Sequence, residues 1–247
     1  MTSSNREKTN VPLETRDLRY AYPDGHPALK GVTLCLQKNE KLALVGPNGS
    51  GKSTLLLNLA GAFAAEDGEI LLYGAPASAE KLRRAVGLIF QNPDDQLFMP
   101  QVTDDVAFGP IARGVPIEEA RKRALEMLER LGAAHLADRA PHRLSGGEKR
   151  LVALAGILVM DPDVLVLDEP TSALDPRARR LVMETLKKLS QSVILCTHDL
   201  DMALDLCSRA VILHDGVIAT EGPLPELFRD KELLERCGLE LPLRYSR

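Results

Sequence analysis

Eight consecutive residues, Gly46-Pro47-Asn48-Gly49-Ser50-Gly51-Lys52-Ser53, satisfy the pattern G-x-x-x-x-G-K-[ST]. The spelling has a chemical reason. Glycines let the backbone curl until successive N–H groups converge on phosphate oxygens, and a helix starting at the end of the loop adds the positive end of its dipole. Lys52 would reach the outer phosphates and the Ser53 hydroxyl would ligate Mg²⁺, with Thr54 next to it in the first helical turn. The pattern predicts a nucleoside triphosphate as ligand.

Asp168 and Glu169 end the apolar run Val164-Leu165-Val166-Leu167. Such a pair is either a strand end meeting solvent or a strand delivering carboxylates to a ligand. In an open parallel sheet, ligands gather at the carboxyl ends of the strands. Downstream of a phosphate loop the second reading prevails: Asp168 holds Mg²⁺ through water, and Glu169 acts on the attacking water as general base or orienting group. A further run, Val193 to Cys196, is followed by Thr197-His198. His198 therefore ends at the same sheet edge, placed to contact the γ-phosphate or to orient Glu169. The other four histidines, His26, His135, His142 and His214, are read as structural or exposed.

The elements that must position these groups are legible in outline. Between Leu13 and Ala43 the pattern is β-like, with Leu18, Tyr20 and Tyr22 alternating, a turn at Pro23-Asp24-Gly25, and Val32, Leu34 and Leu36 alternating again. Lys41 to Val45 is a nearly apolar strand entering the glycine loop. Ser53 to Phe63 follows as a helix with Leu55, Leu56, Leu59, Ala60 and Phe63 on one face. Pro116 to Leu131 is an amphipathic helix, with Glu119/Arg123 and Glu126/Arg130 at i,i+4 and Gly132 to stop it. Val164 to Leu167 and Val193 to Cys196 read as parallel strands covered on both faces. Ala210 to Leu213 and Val217 to Ala219 read as a closing hairpin, and past Gly222 the chain becomes Pro-rich with short helical fragments.

Composition narrows the class. The chain has 247 residues, is 45% hydrophobic and 27% charged, and carries a formal charge of −4. That balance belongs to a globular protein with an ample core, and it lacks the basic footprint of a nucleic-acid binder, so no nucleic acid is expected. Cys35, Cys196, Cys207 and Cys237 lie far apart with no zinc-ligand spacing. The longest charge-free stretch, Ser53 to Ala65, is shorter than the roughly 18 to 20 residues that span a bilayer. No transmembrane segment and no secretory signal are expected, and Met1 to Asn10 is read as a frayed start in a cytoplasmic protein.

Leu144-Ser145-Gly146-Gly147-Glu148 precedes Asp168 and opens a helix whose apolar face is Leu151, Leu154, Ala155 and Leu158. A Ser-Gly-Gly turn at a helix start is a second phosphate-binding corner, one more than a single nucleotide needs from one chain. The combination closely resembles the ATP-binding-cassette family, whose signature is Leu-Ser-Gly-Gly-Gln. The resemblance runs from about Leu13 to Gly222. It implies an α/β fold: a RecA-like P-loop NTPase core with a mainly parallel sheet, an N-terminal antiparallel β-subdomain and an inserted α-helical subdomain. It further implies one ATPase domain over 11–222, with 91–159 as the helical part, 11–90 and 160–222 as the core and β part, and 223–247 as a C-terminal extension.

In that family the signature of one subunit caps ATP held by the phosphate loop of another, across a head-to-tail dimer. The resemblance thus implies ATP with Mg²⁺, contacts from Ser145, Gly146, Gly147 and Glu148 of a second copy, and hydrolysis to ADP and phosphate. Tyr22 would stack on adenine, Gln91 would sense Mg²⁺ and γ-phosphate as the lid glutamine, and Ser172 to Asp175 would link the two sites. Glu148 departs from the usual glutamine; an acid in a first helical turn suits the dipole, so altered geometry or rate is expected at most. Each motif occurs once with Glu169 and His198 intact, which favours a homodimer over a heterodimer with one dead site.

Only 92 residues separate Lys52 from Ser145, with no sustained heptad, so the coiled-coil chromosome ATPases do not fit. Phe90 to Phe98, followed by Asp105 to Pro110, is similar to the ATPases of energy-coupling-factor importers of vitamins or transition metals, and the tail Asp230 to Leu239 looks most like the cobalt/nickel members. This implies a peripheral subunit on the cytoplasmic face of the membrane, docked to an integral-membrane partner near Gln91 to Phe98. Leu97, Phe98 and Phe108, apolar in a Pro/Gly/Asp-rich connection, would line the docking groove or anchor that connection to the helical subdomain. The competing readings are a vitamin importer, a soluble cassette ATPase without transport, and a P-loop kinase, which has no use for Leu144 to Glu148.

Overall fold

The computed structural model describes residues 10–246, so the expectation of a frayed start over Met1 to Asn10 lies, Asn10 apart, outside the described residues. Strands β1 (Leu13–Ala21) and β2 (Pro27–Leu36) pair antiparallel across the expected turn, closed by the Gly25 N–H donating to the Tyr22 carbonyl at 2.8 Å. Then come β3 (Lys41–Val45), α1 (Lys52–Leu59), β4 (Asp67–Leu72), β5 (Ala75–Pro76), α2 (Ala79–Ala85) and β6 (Val86–Ile89). A helical stretch follows, with α3 (Val102–Ala112), α4 (Ile117–Arg130) and α5 (Gly146–Leu158). The chain returns through β7 (Val164–Asp168), α6 (Pro176–Lys188), β8 (Ser192–Cys196), α7 (Leu200–Leu206), β9 (Arg209–His214) and β10 (Val217–Pro223). It closes with α8 (Leu224–Leu227) and α9 (Lys231–Arg236).

The six-stranded sheet has the order β10-β9-β3-β8-β7-β6; all neighbours are parallel except the terminal β9–β10 hairpin. Its central strands are apolar on both faces, as the continuous runs require, and the period of two sorts them. Leu42 and Leu44 of β3, Val166 of β7 and Ile194 of β8 pack with α1 and the four-stranded sheet β2-β1-β4-β5. Leu165, Leu167, Val193 and Leu195 face the other way, onto α5 and α6. Ala43 and Val45 join Ala210, Ile212 and the helices α7 to α9 in a third cluster. The α/β fold, with antiparallel sheet, parallel sheet and inserted helices, is the one expected.

Three local expectations are corrected. The helix after the phosphate loop stops at Leu59 rather than Phe63: Gly61 adopts φ 69°, the N–H groups of Ala62 and Phe63 both return to the Leu57 carbonyl, and Phe63 leaves to stack on Tyr20 at 5.1 Å. The alternation holds for Leu18 and Tyr20, which face the same core cluster, but not through Tyr22: the register shifts between Tyr20 and Ala21 and β1 ends at Ala21. Asp105 to Pro110, read as a connection, lies inside α3. Asp104 and Asp105 sit in the first turn of α3, where negative charge is favoured, and Asp105 Oδ1 accepts the N–H groups of Phe98 (3.0 Å) and Met99 (3.1 Å). The amphipathic α4 matches its expected span and buries Ala120, Ala124, Met127 and Leu128, with the Glu119–Arg123 pair formed at 2.8 Å.

Candidate functional site: a phosphate loop facing two acids

β3 delivers the phosphate loop to the N-terminus of α1, and β7 delivers Asp168 and Glu169 to the same edge, with β8 and its Thr197-His198 end between them. The glycine at 46 is dictated by close approach. A Cβ there would stand 2.1 Å from the Leu213 carbonyl oxygen, and φ is 156°. The Lys52 ammonium donates to the Gly46 and Pro47 carbonyls at 2.8 Å each, which holds the loop curled over its own lysine. The Ser50 hydroxyl is buried with no hydrogen-bond partner among the described residues, and Ser50, expected among the phosphate contacts, does not line the pocket that the rest of the loop does.

The Ser53 hydroxyl donates to Asp168 Oδ2 at 2.8 Å, bringing together the two residues assigned to Mg²⁺. Two hard oxygens beside a phosphate loop fit that ion, which keeps most of its waters and takes one or two carboxylates plus substrate phosphates. Thr54 is buried and its hydroxyl shares a hydrogen with the Tyr22 hydroxyl at 2.7 Å. Tyr22 stands edge-on to Tyr20 at 5.4 Å and to Phe63 at 6.3 Å, leaving 36% of its surface open at the pocket.

Glu169 is held from three directions. Its backbone is left-handed, φ 46°, and its N–H donates to the Cys196 carbonyl at 2.9 Å. Oε1 accepts the His198 backbone N–H at 2.8 Å and lies 2.7 Å from His198 Nδ1; Oε2 accepts the Thr197 hydroxyl at 3.2 Å. An ionised carboxylate only accepts, so Nδ1 carries the hydrogen and Nε2 of a neutral ring is left as the acceptor. Beneath this cluster, burial pushes the Cys196 thiol far up, so that cysteine is inert.

Tyr22, Thr54, Gln91, Asp168, Glu169, His198 and the phosphate loop apart from Ser50 line one pocket of 640 Å³. Four lining residues were not among the site residues expected from sequence: His26 and Ala28 from the turn and start of β2, and Gly238 and Leu239 from the C-terminal segment. Thr197 is a further functional contact, legible only as the neighbour of His198.

Ser145, Gly146, Gly147, Glu148 and Asp175 do not enter that pocket. Ser145 caps α5 in a reciprocal box: Glu148 N–H donates to the Ser145 hydroxyl oxygen (3.4 Å) while Glu148 Oε2 accepts from the Ser145 N–H and hydroxyl, both at 2.8 Å. These bonds from the Ser145 backbone and hydroxyl hold the Glu148 carboxyl below its ordinary value. Asp175 caps α6 by accepting from the N–H groups of Arg177 and Ala178. Gln91 is shared: it also lines a neighbouring cleft with Gly146 and Ser172. Arg150 of α5 locks that region, its guanidinium donating to the carbonyls of Phe90 (2.7 Å) and Gln91 (2.6 Å).

Leu97, Phe98 and Phe108 line a separate groove of 380 Å³ between α3, α5 and β6. Phe98 and Phe108 are 63% and 45% exposed and meet edge-on at 4.9 Å, so they face outward, whereas Leu97 packs against the helical core. No helix among the described residues is long and apolar enough to cross a membrane.

Residues 29–172 match the ABC transporter family. The energy-coupling factor transporter ATP-binding protein EcfA of Methanothermobacter thermautotrophicus is 45% identical over 93% of this chain and 76% of its own length. Among solved structures, cbiO1 from Clostridium perfringens, described as part of the ABC transporter complex cbiONQ, aligns with a TM-score of 0.81 at 39% identity, covering 92% of this chain and 94% of that one. A nucleotide-free ATP-binding cassette from an ABC transporter also aligns at 0.81, with 24% identity over 91% of this chain and 98% of its own, which bears on the fold alone. The family match takes in the phosphate loop, the Ser-Gly-Gly turn and both acids, and the chain belongs to the ABC transporter family, as an ATP-hydrolysing subunit of the energy-coupling-factor type.

Proposed function

We propose that this chain hydrolyses ATP in the 640 Å³ pocket to drive import through an integral-membrane partner, and that the cargo is cobalt or nickel ion. The observation that carries the site is the fixation of Glu169 by Thr197 and His198 at the sheet edge where Asp168 of β7 meets Ser53 of α1. Glu169 takes the proton of the attacking water or orients it, and His198 holds the carboxylate in position. Lys52 and the loop N–H groups hold the outer phosphates, Tyr22 stacks on adenine, and Gln91 reports the occupied site to the neighbouring cleft. Ser53 and Asp168, with Gln91 on the same pocket, would hold Mg²⁺, which would supply charge neutralisation on the phosphates.

The signature turn lies outside the pocket of its own chain, which supports closure by Ser145 to Glu148 of a second copy, with Ser172 to Asp175 at the junction. Both acids and His198 being intact favours a homodimer; pairing with a different cassette is the alternative. We take 11–222 as the ATPase domain and 223–247 as an extension. The outward Phe98 and Phe108 support docking to a membrane subunit on the cytoplasmic face. The likeness of the tail Asp230 to Leu239 to the cobalt/nickel members supports the metal branch, and the likeness to a component of the cbiONQ complex supports assembly into a transporter. Uptake of radiolabelled cobalt and nickel by vesicles carrying this chain with its membrane partners tests the cargo. ATP-dependent accumulation abolished by Lys52→Ala is expected; accumulation of a vitamin instead would move the chain to the vitamin branch.

A further inference from the structure

The segment after β10 was the least legible part of the sequence, yet it reaches the nucleotide pocket. Leu224, Phe228 and Leu234 are fully buried, and with Cys237 they pack on Ala43 and Val45 of β3 and on Leu200 and Ala203 of α7. The segment thus rests on the strand that enters the phosphate loop and on the helix that leaves His198. After α9 the chain turns at Gly238, φ 69°, against the phosphate loop: a Cβ there would lie 3.4 Å from Pro47 Cβ. Gly238 and Leu239 line the same pocket as Lys52, Glu169 and His198.

Beyond the turn the chain is tied to α7. Asp201 accepts the Leu243 N–H at 2.8 Å and the Arg244 N–H at 3.2 Å, and the Arg244 guanidinium donates to Asp205 Oδ1 at 2.7 Å. Arg229 lies over the Tyr245 ring at 5.0 Å, closing the segment on itself.

We propose that residues 237–244 are a positioning element of the ATP site, bracing the phosphate loop at Pro47 and the His198 side at Asp201, with Leu239 as an apolar wall of the pocket. The proposal rests on ATP binding in that pocket. The loop and the Glu169–His198 pair come from different strands, and misplacing one against the other by about 1 Å is enough to lose on the order of 10²-fold in rate. The His198 side chain is 69% exposed and held at its ring by Glu169 Oε1 alone, so its placement also depends on the backbone that α7 continues. Gly238 and Leu239 bear on affinity and the Arg244 tie bears on turnover, which separates their effects.

The test uses the full chain, with mant-ATP binding and steady-state hydrolysis measured on Leu239→Ser, Arg244→Ala and Arg244→Lys. Leu239→Ser weakens mant-ATP several-fold while turnover at saturation is kept. Arg244→Ala loses about tenfold in kcat with mant-ATP affinity retained, and Arg244→Lys recovers most of it. The two Arg244 variants leave the melting temperature of the nucleotide-free chain unchanged, whereas Leu239→Ser, at a residue that also packs on the third core cluster, is assayed well below its own melting temperature. Wild-type mant-ATP affinity in Leu239→Ser together with wild-type turnover in Arg244→Ala, or a loss in Arg244→Ala that merely follows a fall in its melting temperature, overturns the proposal. Lys52→Ala is the separate control: unchanged mant-ATP binding there would remove the pocket reading itself, and the brace with it.

Discussion

Glu169 Oε1 receives both the backbone N–H and the ring of His198, at 2.8 and 2.7 Å, so one oxygen of the acid is committed to the residue that ends the neighbouring strand. Parallel pairing of β7 with β8 sets this up: Asp168 is in register with Cys196, so the residues that follow each strand end side by side. The acid is therefore oriented by the sheet register rather than by loop flexibility.

Glu169→Gln keeps the shape and the contact with His198 but removes the proton acceptor. The expected outcome is retained ATP binding with hydrolysis reduced by about 10²- to 10⁴-fold, measured by phosphate release. Turnover near wild type would take Glu169 out of its role.

Glu148 gives a pH signature. Its carboxyl is held below the ordinary 4.5 in the folded chain, first by the Ser145 N–H and then by the Ser145 hydroxyl, so the bonds stabilise the fold fully above that value and are lost as pH falls through the lower, folded one. Melting curves of wild type and Glu148→Gln should run parallel from pH 5 upward and converge or cross below it. A constant offset down to pH 3 would contradict the capping role.

Arg150 places two donors on the carbonyls of Phe90 and Gln91 from a buried position on α5. Arg150→Met strands both carbonyls, each costing roughly 1–3 kcal/mol, and thermal unfolding should register the loss. Arg150→Lys, which keeps a charge but not the planar fork, should fall between the two. Equal stability of all three would mean the carbonyls find other partners.

Phe98 is the most exposed aromatic of the described residues and shares its groove with Phe108. Phe98→Asp places a charge where an apolar partner surface would seat. Co-purification with the membrane subunit is expected to fail while mant-ATP binding by the purified chain is unchanged; a complex that survives intact moves the docking surface elsewhere.

The phosphate loop, the two acids and His198 were legible because each follows a continuous apolar strand, and parallel topology gathers strand ends at one edge. The capping box was also spelled out, as Ser145-x-x-Glu148, although the acid read first as a departure from the signature. What stayed hidden has physical reasons. Gly109 and Pro110 masked α3, whose helical register comes from Val102, Val106 and Ala107 packing into the helical core. His26, on the turn, and Ala28, in β2, reach the pocket through antiparallel pairing rather than any local pattern. The approach of Gly238 to Pro47 links distant parts of the chain, and no periodicity records a contact that only the third core cluster brings about.

The torsion at Glu169 has a consequence for engineering. A side chain with a Cβ at φ 46° stores strain of about 1–3 kcal/mol, a burden that glycine at the same place would shed. Glycine would also strand the Thr197 hydroxyl and the His198 N–H, at roughly 1–3 kcal/mol each, so the relief is offset. A search for robustness gains nothing at position 169 and forfeits the chemistry, which makes it the one to hold fixed before the search begins.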